Sequence, residues 1–347
     1  MNLYRLLFPL IRRLDPESAH HLVLRLLGAA QRSSPGRALL RRMAGPTPED
    51  PVALFGLRFP NRVGVAAGFD KDVHMAEGLG LLGFGHVEVG TLTPRPQPGN
   101  PRPRIFRLAD DRAIINRMGF PNCGVEAALP RLRALDRERR RFVLGVSLGK
   151  QKETPLERAA DDYLAVMRSV YPYADYLAVN ISSPNTPDLR ALQGDVYLRD
   201  LLSQLQTESE VLARASAAAA RPLLVKIAPD LTWDELDRIL AIALETGVAG
   251  LIATNTTLSR EGLTDPRKTE TGGMSGQPLL ARSTEIVAHI HRQTGGRLPV
   301  IGVGGIFSAD DARKKLDAGA SLVQVYTGLV YEGPGIAGTI LRGLCRR

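Results

Sequence analysis

The side chains of this 347-residue chain that could do chemistry stand where apolar runs end. VGVAAG (63–68) leads into Asp70-Lys71, HVEVGT (86–91) ends in Thr91, and VLGVSLG (143–149) carries Ser147. YLAVNIS (176–182) delivers Asn180 and then Ser183 and Asn185. LLVKIA (223–228) holds Lys226, and GLIATNT (250–256) ends in Thr254, Asn255 and Thr256. PVIGVGG (299–305) closes on Gly304-Gly305, and LVQVYTG (322–328) on Tyr326, Thr327 and Gly328. One polar ending means little, but eight in succession describe a ring of hydrogen-bonding groups around one pocket. Glycine turns free backbone N–H groups, and a following helix N-terminus adds a favourable dipole, so the last two endings suit a phosphate. Ser183, within SSPN, reads equally as a turn-capping hydroxyl or a reactive one. Lys71 directly follows a buried run, which makes a mere surface lysine the weaker reading.

Such a ring needs a barrel to position it. The eight runs are continuous rather than alternating, as expected of strands buried on both faces of a parallel sheet. Helical stretches separate most of them, and Thr232 and Glu235 have capping-box spacing at the start of 232–245. Eight βα units over roughly 300 residues predict a (β/α)8 barrel, with a doubly wound sheet as the alternative. VALFGLRF (52–59) reads as a short hairpin closing the barrel bottom. Before it, SSPG (33–36) and AGPTPEDP (44–51) mark a linker.

The first 45 residues predict helices. Leu3, Leu6, Leu7, Leu10, Ile11 and Leu14 share one face, interrupted by Pro9, with a short helix expected after it. Asp15-Pro16 is a cap followed by proline at the first helical position, and Ala19, Leu22, Val23, Leu26, Leu27 and Ala30 repeat the stripe. On pattern alone the two helices read first as packing elements, and second as an Arg-rimmed apolar surface for a membrane.

Charge and composition narrow the classes. The net charge is +9, a value that suggests nucleic acid or an anionic membrane, but its location decides. Residues 1–45 hold eight Arg against Asp15 and Glu17, and residues 131–141 hold six Arg against Asp136 and Glu138. The rest is close to neutral. Aromatics are only 5%, and no nucleic-acid-binding pattern is present, so no nucleic-acid partner is expected. The two cysteines, Cys123 and Cys345, form no CxxC pair, and the six histidines form no ligand pattern, so no metal is expected. Cys123 reads as a small buried filler, Trp233 as packing, and residues 131–141 as a basic helix with a solvated face. No uncharged run is longer than residues 318–331, which is too short to span a bilayer, and no secretory signal is evident.

Eight motifs in order then carry a family resemblance. AAGFDK (66–71), EVGTLTPRPQPGNPRPR (88–104), NRMGF (116–120), NISSPNTP (180–187), VKIAPD (225–230), ATNTT (253–257), TGGMSG (271–276) and GVGGI (302–306) closely resemble the dihydroorotate dehydrogenases. The resemblance implies oxidation of dihydroorotate to orotate in pyrimidine synthesis, with FMN as cofactor. The family's soluble class has a cysteine at the position of Ser183 and lacks the N-terminal helices. Its membrane-associated, quinone-reducing class has serine and the extension, as here. Passage of electrons to NAD or fumarate is the alternative within enzymes, and a non-enzymatic nucleic-acid binder the alternative outside them.

Carried over by position, the resemblance makes Ser183 the catalytic base. It assigns substrate binding to Lys71, Asn116, Arg117, Met118, Gly119, Phe120, Asn180, Asn185, Asn255 and Thr256. FMN contacts would come from Ala67, Gly68, Lys71, Thr91, Asn180, Lys226, Thr254, Gly276, Gly305, Tyr326 and Thr327. Ser147 stands where the family has an FMN-contacting asparagine, and is expected to be a weaker contact. The loop 116–120 is expected to close over the substrate. The implied organisation is a helical extension, 1–45, and a catalytic barrel, 46–347. With the resemblance, the membrane reading of the extension comes first: a peripheral, monomeric enzyme on the cytoplasmic side of a bacterial membrane, meeting anionic lipid and a membrane quinone through residues 1–45.

Overall fold

The eight apolar runs form the parallel strands of one closed barrel. The computed structural model describes residues 4, 8, 11, 13–135, 137–138, 140–186 and 188–346. A hairpin, β1 (Val52–Leu54) and β2 (Leu57–Phe59), precedes the barrel. The barrel strands are β3 (Val63–Val65), β4 (His86–Leu92), β7 (Val143–Leu148), β8 (Tyr176–Asn180), β9 (Leu223–Ile227), β10 (Gly250–Ala253), β12 (Val300–Val303) and β13 (Leu322–Val325). They follow one another around the circle, and β13 pairs with β3 to close it. The expected (β/α)8 class is therefore the observed one, and closure leaves the barrel sheet without an edge strand.

Outward-facing strand residues pack against the surrounding helices, while Ala178, Leu224, Ile252, Ile301 and Leu322 fill the interior with Phe59. Phe59 comes from the hairpin and is fully buried, edge-on to His86, so β1–β2 closes the barrel as expected. Burying such a side chain contributes roughly 1.5–3 kcal/mol. Thr232 and Glu235 do form a capping box on helix Trp233–Glu245.

Three strands were not foreseen. β5 (Ile105–Leu108), β6 (Ala113–Asn116) and β11 (Gly273–Gly276) form an antiparallel sheet, order β11-β6-β5. The run IFRLADDRAIIN carried a signal for its hairpin: two apolar segments about an Asp-rich turn. The partner β11 is remote in sequence and glycine-rich, so nothing local announces it.

The basic segment is a second difference. Helix Val125–Ala134 ends within it, and residues 137 and 138 are a turn. Arg137 and Arg140 both pair with Asp175, and Arg140 also donates to the Leu135 and Tyr173 carbonyls. These bonds fasten the turn to the barrel wall, where a solvated helical face was expected. Asp136 and Arg139 lie outside the described residues.

At the N-terminus, Leu3, Leu6, Leu7 and Leu10 and most of the expected first helix lie outside the described residues. The helix Pro16–Ala30 begins at its expected cap, with Ser18 N donating to Asp15 Oδ1 at 2.8 Å. Helix Ser34–Ala44 follows. Both rest on the barrel. Glu17 is buried and takes hydrogen bonds from Arg104, the shortest 2.7 Å, while Gln31 bridges the His74 carbonyl and Gly78 N–H. Leu14, Leu22, Val23, Leu26, Leu39 and Met43 remain exposed. No helix among the described residues is long and apolar enough to cross a membrane.

Candidate functional site

An open cavity, about 1010 Å³ with its solvent-filled mouth included, lies at the C-terminal ends of the barrel strands. This is the end at which (β/α)8 barrels gather chemistry, because the loops there vary without disturbing the core. Every sequence-predicted site residue except Arg117 and Ser147 lines it.

The wall from β3 begins with Ala67 and Gly68. Gly68 has φ +92°, where a side chain would strain the backbone, and Tyr326 donates its hydroxyl to the Gly68 carbonyl at 3.3 Å. Buried Asp70 accepts from the backbone N–H of His74 and Met75, which fixes the loop presenting Lys71. Lys71 Nζ donates to the Gly68 carbonyl at 2.6 Å, and burial pulls its ammonium down to about 8.

An amide network forms the opposite side. Asn180 donates to Thr91 Oγ1 at 2.9 Å, Asn255 to Ser182 Oγ at 3.0 Å, and Asn185 to Asn116 Oδ1 at 3.1 Å. Each bond fixes which edge of an amide remains for a ligand. Ser183 is 5% exposed, and among the described residues its Oγ accepts only a long 3.3 Å bond, from Asn185 N–H. Arg190 donates to the Ser182 and Thr256 carbonyls and pairs with Asp230, holding the serine loop from behind.

The floor is Lys226 with Gln324 beside it. At the far end, Gly304 and Gly305 have φ of +113° and +76°, and a side chain at 305 would lie 2.5 Å from Leu280. The helix Leu280–Thr294 starts there, so glycine turn and helix N-terminus meet as an anion site requires. Ser275 and Thr327 share a 2.8 Å hydroxyl contact nearby.

Two expected contacts stand elsewhere. Arg117 pairs with Glu270 at 2.6 Å and lies over the Phe106 ring, because its position beyond β6 points it at the β11 side rather than at the cavity. Ser147 is fully buried behind Thr91, whose oxygen is 2.9 Å from its own. Serine is too short to reach past the threonine. Conversely, Gln324, Ser275, Leu279 and Ile306 line the cavity unforeseen. Gln324 had a signal, a polar residue inside the buried run LVQV, whereas Ser275 depends on the unexpected strand β11. Cys123 stays outside the lining, with burial pushing its thiol up to about 11. Trp233 is packed between His289 and Arg282.

Fold and site together define a (β/α)8 barrel built around an amide-rich cavity with a glycine turn against a helix N-terminus at one end. The dihydroorotate dehydrogenase family model matches residues 51–347, and the chain belongs to that family, one of flavoenzymes. A curated relative named dihydroorotate dehydrogenase (quinone), from Synechococcus, is 50% identical, covering 100% of this chain and 94% of the relative. One of the same name from Burkholderia thailandensis is 49% identical over 98% of both. The crystal structure of the Eimeria tenella enzyme in complex with ferulenol superposes with a TM-score of 0.85 at 43% identity, covering 95% of this chain and 90% of that one.

Proposed function

We propose that this protein oxidises dihydroorotate to orotate for pyrimidine synthesis, with FMN as the bound cofactor and a membrane quinone as final acceptor. The observation that carries this reading is the convergence of all the expected residues but two on one cavity. The residues fit FMN. The turn at Gly304-Gly305 suits its phosphate, and Thr256 Oγ1 and Gln324 Oε1 are buried atoms of lining residues without a hydrogen-bond partner among the described residues. Lys226, Thr254, Gly276, Tyr326 and Thr327 complete the holding set.

Orotate is a planar, amide-rich anion, and its carboxylate and ring amides suit Lys71 together with Asn116, Asn180, Asn185 and Asn255. Ser183 takes the proton from the carbon beside the substrate carbonyl and passes it to water. A hydroxyl is a weak base, so this transfer runs late, as substrate acidity rises. The neighbouring carbon gives up a hydride, for which FMN supplies the two-electron acceptor. Lys226 presents positive charge where those electrons accumulate, in a site from which water is excluded. The loop 116–120, whose residues other than Arg117 line the cavity, covers the substrate.

The quinone and membrane parts rest on the extension. His20 is edge-on to Phe69, and Phe69 edge-on to Tyr326, so an aromatic path leads from the N-terminal helix to the cavity wall. Burial, then the charge of Lys71, pulls His20 down to about 3 and keeps it neutral, which suits an apolar acceptor. The exposed Leu22, Val23, Leu26, Leu39 and Met43 with their arginine rim suit a peripheral seat on anionic lipid, about 1 kcal/mol per arginine near the surface. On this reading residues 1–45 act as a unit apart from the barrel, 46–347, in a monomeric enzyme on the cytoplasmic face. Purified protein is expected to be yellow and to reduce a soluble quinone with dihydroorotate, leaving NAD and fumarate unreduced. A colourless protein inert toward dihydroorotate would defeat the proposal.

A further inference from the structure

The interior of a (β/α)8 barrel is normally filled with branched apolar side chains, and a carboxylate there is costly unless paired. Directly below the cavity this barrel places one. Glu88 on β4 is fully buried, one layer beneath the lining residues, and three other strands turn polar groups onto it. Tyr176 of β8 donates its hydroxyl to Oε2 at 3.0 Å, and Gln324 of β13 donates its amide to the same oxygen at 3.0 Å. The other oxygen, Oε1, accepts no hydrogen bond from the described residues and lies 3.6 Å from Nζ of Lys226 on β9. Strands β4 and β9 are not neighbours in the sheet, so this ion pair crosses the barrel interior.

The arrangement is directional. Two neutral donors occupy the oxygen turned away from the lysine and fix the orientation of the carboxylate. Burial, and after it the charge of Glu88 itself, keeps the Tyr176 hydroxyl protonated, so it remains a donor. The free oxygen faces Lys226, and Lys226 faces the cavity. Ordinary core packing explains Ala178 or Ile301 at this level; it does not explain a carboxylate whose one unbonded oxygen is aimed at the cavity's floor cation.

We propose that Glu88 is a positioning residue that sets the charge Lys226 presents to the bound cofactor, and so tunes how strongly the site favours the two-electron-reduced form. The proposal rests on the flavin reading given above. A lysine alone would stabilise added electrons with a full positive charge and make them harder to pass on. A carboxylate 3.6 Å behind it offsets part of that charge. The pair thereby balances uptake of electrons from substrate against release to the acceptor.

The test is the midpoint potential of the flavin in the full-length holoenzyme, measured anaerobically by dye equilibration. Glu88→Gln is expected to move the potential in the positive direction. The ratio of oxidised to reduced flavin dissociation constants should rise at least about tenfold, which is about 30 mV for a two-electron couple. Glu88→Asp keeps the charge but withdraws it by one methylene, and its potential is expected between those of Glu88→Gln and the parent. If Glu88→Gln does not fold, a positive shift in Glu88→Asp still supports the proposal and an unmoved potential still overturns it. A yellow, folded Glu88→Gln protein with the parent's potential, or with a more negative one, overturns it as well. A parent protein that binds no flavin would instead defeat the reading beneath it. Loss of thermal stability without a change in potential would mark Glu88 as part of the core and nothing more.

Discussion

Ser147 Oγ lies 2.9 Å from Thr91 Oγ1, the same oxygen to which Asn180 donates at 2.9 Å. Ser147 is absent from the cavity lining and touches Thr91, which lines it, so it is expected to act by orienting Thr91 between two partners. Ser147→Ala removes a buried hydrogen bond and leaves Thr91 with one fixed partner, a cost of about 1–3 kcal/mol. Urea unfolding should show that loss, while turnover falls less than it does for a change at Thr91 itself. Turnover in Ser147→Ala lower than in Thr91→Ala would return Ser147 to direct contact with the ligand.

Ser183 is expected to matter for proton transfer and not for binding. Ser183→Ala should bind orotate with near-parental affinity and reduce its flavin with dihydroorotate roughly 100- to 10,000-fold more slowly, the range for loss of a general base. Anaerobic stopped-flow bleaching measures this directly. Near-normal bleaching would remove Ser183 from the mechanism.

Lys71 should impose a pH dependence on orotate affinity. Its ammonium is pulled down to about 8 by burial, so the free enzyme loses this charge as pH rises through that value. Only the charged form pairs with a carboxylate. Affinity should be level below pH 8 and weaken above it by roughly tenfold per pH unit. Spectral titration across that range checks the slope, and Lys71→Met should flatten it.

Glu17 and Arg104 couple the N-terminal helix to the barrel. Burial opposes ionisation of Glu17, but Arg104, with Arg102 and His21 beside it, outweighs that and holds the carboxyl below its usual range. A carboxyl lowered on docking stabilises the docked helix above its ordinary range, and that contribution is lost as pH falls through the lowered value. Glu17→Gln leaves Arg104 buried without its counter-charge, a cost of about 3–5 kcal/mol for a buried pair broken on one side. Helix Pro16–Ala30 should then be cut by protease faster, with less protein pelleting with anionic vesicles. Flavin reduction by dihydroorotate should persist. Unchanged proteolysis and pelleting would separate the ion pair from docking.

Removing residues 1–45 carries the same logic further. The truncated protein should keep the flavin half-reaction and lose efficient quinone reduction and vesicle binding. Quinone kinetics equal to those of the full chain would sink the assignment of the extension to the acceptor.

What the sequence determined by itself is local and periodic. Eight apolar runs of the right length pointed to parallel strands buried on both faces, and a polar or glycine ending on each pointed to a cavity at one end of a barrel. Asp15 before Pro16, and Thr232 with Glu235, fixed helix starts because capping needs only neighbours in the chain. Motif order identified the family.

What only the tertiary structure decided depends on groups distant in the chain. β11 joins β6 across more than 150 residues, and that pairing brings Ser275 to the cavity and carries Arg117 away to Glu270. Ser147 and Thr91 are 56 residues apart, so no spacing rule reveals which of them stands in front. Glu88 and Lys226 meet only because a closed barrel turns non-adjacent strands toward a common axis. Side-chain direction along a strand is set by its own alternation, but what the side chain meets is set by closure of the ring.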